Sequence, residues 1–268
     1  MPAVMTERRD HVLLVTLNRP EARNALSPEV IVRLDKAWNE LRDDDDLRVG
    51  VITGTGDKSF CAGADLARLI PLISGNREAE DEWDEQVLSN PRAMANGNLM
   101  GDPVGKPIIA ALNGHTMGGG LELAMNADLR VAAAGIRVGL PEVKRALFPG
   151  GGGVVRLARA IPPTVALEHS LTGDPLDAEE AHRLGLLNAV VDRDDLIDTA
   201  LDLAARIARN GPLAVRAILA THRESDGLAL ADALALSGKL GGPIFQTKDA
   251  AEGARAFIEK REPVYRGQ

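Results

Sequence analysis

Two glutamates, Glu122 and Glu142, each stand beside a glycine-rich turn, and both are candidates for acid–base chemistry. Glu122 follows Asn113-Gly114-His115-Thr116-Met117-Gly118-Gly119-Gly120, while Glu142 precedes Phe148-Pro149-Gly150-Gly151-Gly152-Gly153. A glycine turn lets backbone N–H groups approach a ligand because no Cβ stands in the way. The start of a helix adds unpaired donors and the positive end of a dipole. Residues 113–124 are therefore suited to hold an anion, or an oxygen that becomes one; the alternative is a close-packed turn with a surface glutamate. A further turn, Ala62-Gly63-Ala64-Asp65, offers more backbone donors. Paired carboxylates beside oxyanion donors suit proton transfer next to a carbonyl, or addition of water. Burial near a like charge would raise the pKa of one of the pair, as an acid–base couple requires.

Other chemistries lack their residues. No G-x-S-x-G elbow, H-E-x-x-H pair or Cys/His ligand spacing is present, so neither a serine nucleophile nor a metal centre is expected. Cys61 is the only cysteine and reads as a small packed residue beside Phe60. His11, His169, His182 and His222 have no motif around them, and His115 reads as a bystander within its turn. Gly54-Thr55-Gly56-Asp57-Lys58-Ser59 narrowly misses two nucleotide motifs. A dinucleotide fingerprint would need a glycine at position 59, and a phosphate loop would need one at 57. The segment is expected to be a plain turn.

The elements that must position these groups follow from periodicity. Val12 to Leu17, Val49 to Thr53 and Ile108 to Leu112 read as buried strands; Leu129–Val131, Arg137–Leu140 and Asn188–Val191 read as shorter ones. Ser27-Pro28-Glu29 supplies an N-cap, a first-turn proline and an early acid for a helix over 28–41. Helices are also expected at 121–127, 154–160 and 177–185. From Asp194 onward the pattern is helical throughout, over 195–209, 212–223, 228–240 and 248–260, with breaks at Asn210-Gly211-Pro212 and Gly241-Gly242-Pro243. These last helices are rich in Ala and Leu on more than one side, which suggests burial against another chain. Residues 66–105 are less regular, with an acid-rich helix near 78–87 that reads as a solvated face and a mobile connection over 96–107.

Composition bounds the function. The 268 residues are 45% apolar and carry a net charge of −8, which argues against nucleic acid as the main partner. With one cysteine, no internal disulfide can form and a reduced compartment fits. No signal peptide or membrane span is expected, so the default is a soluble cytoplasmic protein.

Five stretches, in order, resemble the enoyl-CoA hydratase/isomerase (crotonase) superfamily. They are Leu17-Asn18-Arg19-Pro20-Glu21-Ala22-Arg23-Asn24-Ala25-Leu26, Phe60 to Leu66, Lys106 to Ala127, Gly139 to Gly153, and Phe257 to Pro263. The resemblance implies an α/β fold, with a crotonase-like spiral of stacked ββα units over 1–193 and a C-terminal helical trimerisation region over 194–268, as a homotrimer or a dimer of trimers. It implies a coenzyme A thioester as substrate, with no separate cofactor. Ala64 and Gly119 take the positions of the oxyanion-hole donors, and Gly150 that of a water-positioning N–H. Glu122 and Glu142 take those of the two glutamates that hydratases use, one to activate water toward Cβ and the other to protonate Cα. The coenzyme A site would include Arg23, Ala62, Asp65, Leu66, Arg68 and, from a neighbouring chain, Lys260.

The sequence departs from the commoner pattern where lysines contact the coenzyme A phosphates, since those positions hold Glu21 and Ala67. The 66–105 connection is also about ten residues longer than in many hydratases, which bears on the acyl pocket. The leading expectation is an enoyl-CoA hydratase. The alternatives are an enoyl-CoA isomerase or related thioester enzyme, and a catalytically silent acyl-CoA-binding subunit.

Overall fold

The computed structural model describes all residues, 1–268. The chain builds two sheets by turns. β1 (Val4–Arg9) and β2 (Val12–Leu17) form an antiparallel hairpin, and α1 (Pro28–Asp43) crosses to β3 (Val49–Gly54), parallel to β2. From β3 the chain steps to β4 (Ser59–Cys61), the first strand of a second sheet. Three short helices follow, α2 (Leu69–Ile73), α3 (Glu82–Ser89) and α4 (Pro91–Gly97).

The step then repeats. β5 (Ile108–Leu112) joins the large sheet, β6 (His115–Met117) the small one, and α5 (Gly119–Asn126) closes the unit. β7 (Leu129–Ala133) and β8 (Arg137–Gly139) repeat it again, before a 3-10 turn over Pro141–Arg145 and helices α6 (Gly153–Ala160) and α7 (Pro163–Thr172). β9 (Leu176–Asp177), α8 (Ala178–Arg183) and β10 (Ala189–Val191) complete the spiral. The large sheet runs β1-β2-β3-β5-β7-β10 and the small one β4-β6-β8-β9. Within the small sheet β4, β6 and β8 are parallel, so their C-terminal ends, and the turns that leave them, share one edge.

Every residue of β5 is buried, as expected for a parallel strand covered on both faces. α1 covers one side with Val30, Ile31, Leu34, Ala37, Trp38 and Leu41, and Ser27 Oγ caps it by accepting from the Val30 N–H. Truncating one such core leucine, Leu34→Ala, would cost about 2–5 kcal/mol.

The helical tail expected from residue 194 divides in two. α9 (Leu196–Ala208) packs on the large sheet through Leu196, Ala200, Ala204 and Ala208, a stripe of period four whose small residues permit close approach. It is thus part of the core, which moves the structural boundary past the expected residue 193. α10 (Pro212–Glu224) and α11 (Leu230–Gly241) contain no buried residue, and α12 (Lys248–Glu259) buries only Asp249 and Ala256. Ile218, Leu230, Leu234, Phe245, Phe257 and Ile258 are all exposed.

Residues 66–105 are more ordered than the sequence suggested. The expected mobile connection is pinned to α1, because Ala93 and Gly97 are buried and Trp38 Nε1 donates to the Gly97 carbonyl at 3.2 Å. The acid-rich helix is not wholly solvated either, since Asp84 and Val87 are buried. No helix is long and apolar enough to cross a membrane.

Candidate active site

The turn leaving β4 and the turn leaving β6 meet at the shared edge of the small sheet. A Cβ placed on Gly119 would lie 3.3 Å from the Ala64 nitrogen, so the two backbone amides are neighbours. Neither N–H donates to any acceptor within the chain. Two adjacent unengaged donors, one of them at the start of a helix, are what a developing oxyanion would require.

The glycine before them is required by shape. Gly118 has φ +56°, and a Cβ there would come 2.8 Å from Glu142 Oε1. Its N–H donates to the Gly139 carbonyl, tying this turn to the end of β8. Glu142 follows directly in the 3-10 turn after β8, so its carboxylate lies against the oxyanion turn.

Glu122 projects from the first turn of α5 and is buried, with 6% of its surface exposed. The second glycine turn holds it through the Gly153 N–H, which donates to Oε1 at 2.9 Å, and the Gly151 N–H, nearby, also lowers its pKa. A side chain at Gly151 would strike Glu122 Oε2, since a Cβ there would lie only 2.7 Å away. The Gly150 N–H, one residue before Gly151, has no acceptor within the chain.

Burial raises the pKa of both acids above the ordinary glutamate value. The two environments differ, however. Glu122 is partly offset by its two backbone donors. Glu142 has an Oε2 that is buried without a hydrogen-bond partner; its own backbone N–H offsets part of the desolvation, and the negative charge of Glu122 pushes it upward while Arg145 opposes this.

The residues expected at a coenzyme A site are only partly brought together. Arg23, Ala62 and Leu66 lie at or next to the Ala64 turn, and the Ala62 N–H donates to the Arg23 carbonyl. Asp65 is occupied within the chain, where its carboxylate accepts from the Ala67 and Arg68 N–H groups and from Arg19 Nη1 at 3.1 Å. Arg68 corrects the expectation. Its Nη2 sits 2.6 Å from Asp81 and 3.5 Å from Asp84, so its charge is committed to α3. Lys260 is exposed at the end of α12.

The remaining candidates have structural roles. Cys61 is fully buried and its thiol is pushed up to about 12 by desolvation, which rules out a thiolate nucleophile. Residues 54–59 make the turn from β3 into β4, with no helix to carry a nucleotide phosphate. His115 stands at the other end of β6 from the donor turn. Its Nδ1 accepts from the Arg137 N–H, and burial and nearby arginines lower its pKa, so it is neutral and remote from the carboxylates. The sequence did not single out Gly151 and Gly153 as holders of Glu122; their presence in a four-glycine run was the available signal.

The sequence model of the Enoyl-CoA hydratase/isomerase family matches residues 7–268. The chain belongs to this family. It is 40% identical to an (E)-benzylidenesuccinyl-CoA hydratase of Thauera aromatica, with 100% of both chains covered. It is 36% identical to a crotonyl-CoA hydratase of Syntrophomonas wolfei, over 97% of this chain and 96% of that one. Among solved structures, the enoyl-CoA hydratase EchA1 of Mycobacterium marinum superposes with a TM-score of 0.89 at 42% identity, with full coverage of both chains. The two-sheet spiral is therefore the crotonase fold of the enoyl-CoA hydratase/isomerase family.

Proposed function

We propose that this protein adds water across the 2,3 double bond of a 2-trans-enoyl-CoA thioester. The observation that carries the proposal is the pair of glutamates, Glu122 buried and Glu142 half-buried, beside two unengaged backbone donors. The Ala64 and Gly119 N–H groups would receive the thioester oxygen as it gains charge. Loss of one such donor typically lowers rate about 10²–10³-fold. Glu122, ionised, takes a proton from the water that attacks Cβ, while Glu142, protonated, delivers one to Cα. The net change is addition of one water, redox-neutral, and the two carboxyls regain their starting states by proton exchange. The Gly150 N–H orients the water. No cofactor is called for beyond coenzyme A, which is part of the substrate.

Arg23, Ala62 and Leu66 would contact the coenzyme A portion, with Lys260 reaching it from a neighbouring copy. The exposed apolar residues of the last three helices support a homotrimer, or a pair of trimers, as the working form. Relatives carry names for crotonyl, benzylidenesuccinyl and carnitinyl thioesters, so the shared element is the CoA thioester rather than one acyl group.

The deciding experiment is a chain-length panel of 2-enoyl-CoA esters, followed by loss of conjugated absorbance. Hydration of at least one ester is expected. Conversion of a 3-enoyl-CoA with no hydration anywhere on the panel would instead make the protein an isomerase, and binding without turnover would make it a silent subunit.

A further inference from the structure

One side chain joins the helix above the site to the turn that holds Glu122. Asn126 lies one helical turn beyond Glu122 on α5 and is buried, with 7% of its surface exposed. Its Nδ2 donates to the Asn98 carbonyl at 2.7 Å and to the Gly151 carbonyl at 3.3 Å. Both partners are acceptors only, so the amide nitrogen must face them. The Oδ1 is buried and has no partner, so the side chain is held through its donor end alone. Asn98 follows α4 and precedes Leu99, which has φ +57°, a left-handed conformation uncommon for leucine. Asn126 therefore bridges a strained exit from α4 and the glycine turn that holds Glu122.

Resting on the hydratase reading, we infer that Asn126 is a positioning residue for the water-activating carboxylate: by gripping the Gly151 carbonyl it fixes the glycine turn whose Gly153 N–H donates to Glu122. Burying an amide with its oxygen unpaired is costly, and a leucine would fill a similar volume at no such cost. The donor, not the packing, explains the residue. The charged groups around Glu122 are few. Glu142 faces it from the 3-10 turn, with Arg145 beside Glu142. Arg156 on α6 lies against Gly152, Arg130 on β7 donates to carbonyls at the far end of α5, and His115 on β6 is neutral. Backbone donors are thus the main support for the Glu122 charge.

The test replaces Asn126 with leucine, which keeps bulk and removes the donors, and with serine, which keeps one donor. The Gly153 amide shift reports Glu122 ionisation directly, because the two are hydrogen-bonded. In Asn126→Leu its titration midpoint should rise by about half a pH unit or more, with Asn126→Ser between leucine and wild type. With a substrate identified by the panel, kcat should fall about tenfold and its acid limb should move upward, while KM stays within about twofold. A wild-type midpoint in Asn126→Leu, or in Asn126→Ser should the leucine variant not fold, would overturn the inference. Absence of hydration by the wild type would sink the hydratase reading alone, since the amide titration still reads the positioning.

Discussion

Two acidic sites of the molecule are built on opposite terms. Asp84 on α3 is fully buried, yet its carboxylate is held down at about 2, chiefly by the Arg77 guanidinium at 2.7 Å and also by the Glu80 N–H and Arg68. Glu122 is buried and Glu142 half-buried, neither carries an ion pair of that kind, and desolvation pushes both upward although Arg145 acts weakly against it at Glu142. The first arrangement fixes charge so that it cannot exchange a proton near neutral pH. The second moves both groups upward, toward neutral pH. Burial alone thus does not identify a catalytic acid; what matters is whether the fold supplies a counter-charge.

This contrast can be broken from either side. The largest expected effect is on the proton donor, where Glu142→Gln should lower kcat by about 10²–10⁴-fold while coenzyme A affinity, measured by calorimetry, is retained. An unaffected rate would remove Glu142 from the mechanism. Gly118→Ala should cost about 10²-fold in kcat, since its Cβ would displace Glu142 Oε1 and strain a left-handed backbone.

On the other side, Asp84→Asn strips the counter-charge from Arg77 and should destabilise the fold by about 3 kcal/mol in urea titration. Wild-type stability after that change would show that the network contributes little.

The pH responses should also oppose one another. The Asp84 contribution is present above the ordinary carboxylate range and is lost as pH falls through about 2. For the glutamates the sign reverses, because raised folded pKa values cost stability as pH climbs past the unfolded value, and fully so above the folded one. The kcat profile should be a bell, rising as Glu122 ionises and falling as Glu142 loses its proton, with both limbs displaced upward from ordinary glutamate. The smallest effect follows from the same cost, in that Glu142→Gln should raise Tm at neutral pH by about 2–4 °C, readable by calorimetry.

Much of this site is legible in the chain. β2, β5, α1 and the helices after 194 follow from period and caps, and each glutamate stands beside a glycine turn. What escaped detection depended on partners distant in sequence. β4 and β6 are three residues each, too short to carry a period, and exist because they pair with one another. α7 has a weak apolar pattern with only Ala166 buried. The acids of 78–85 read as a solvated face because nothing local marks Asp84 as the one that meets Arg68 and Arg77. For the same reason Arg68 looked free to meet a phosphate. The roles proposed for Ala64, Gly119 and Gly150 rest on resemblance and geometry together, since composition does not distinguish one backbone N–H from another.

The two donors at Ala64 and Gly119 belong to the main chain, and that has a consequence for how such a protein can change. On the proposed reading, side chains around the acyl group could be exchanged without deleting either hydrogen bond, because no side chain would make it. The apparatus for stabilising charge would be inherited with the path of the backbone, and the choice of acyl group left to replaceable walls. New substrates could then be explored by drift in one part of the chain with the chemistry insulated in another.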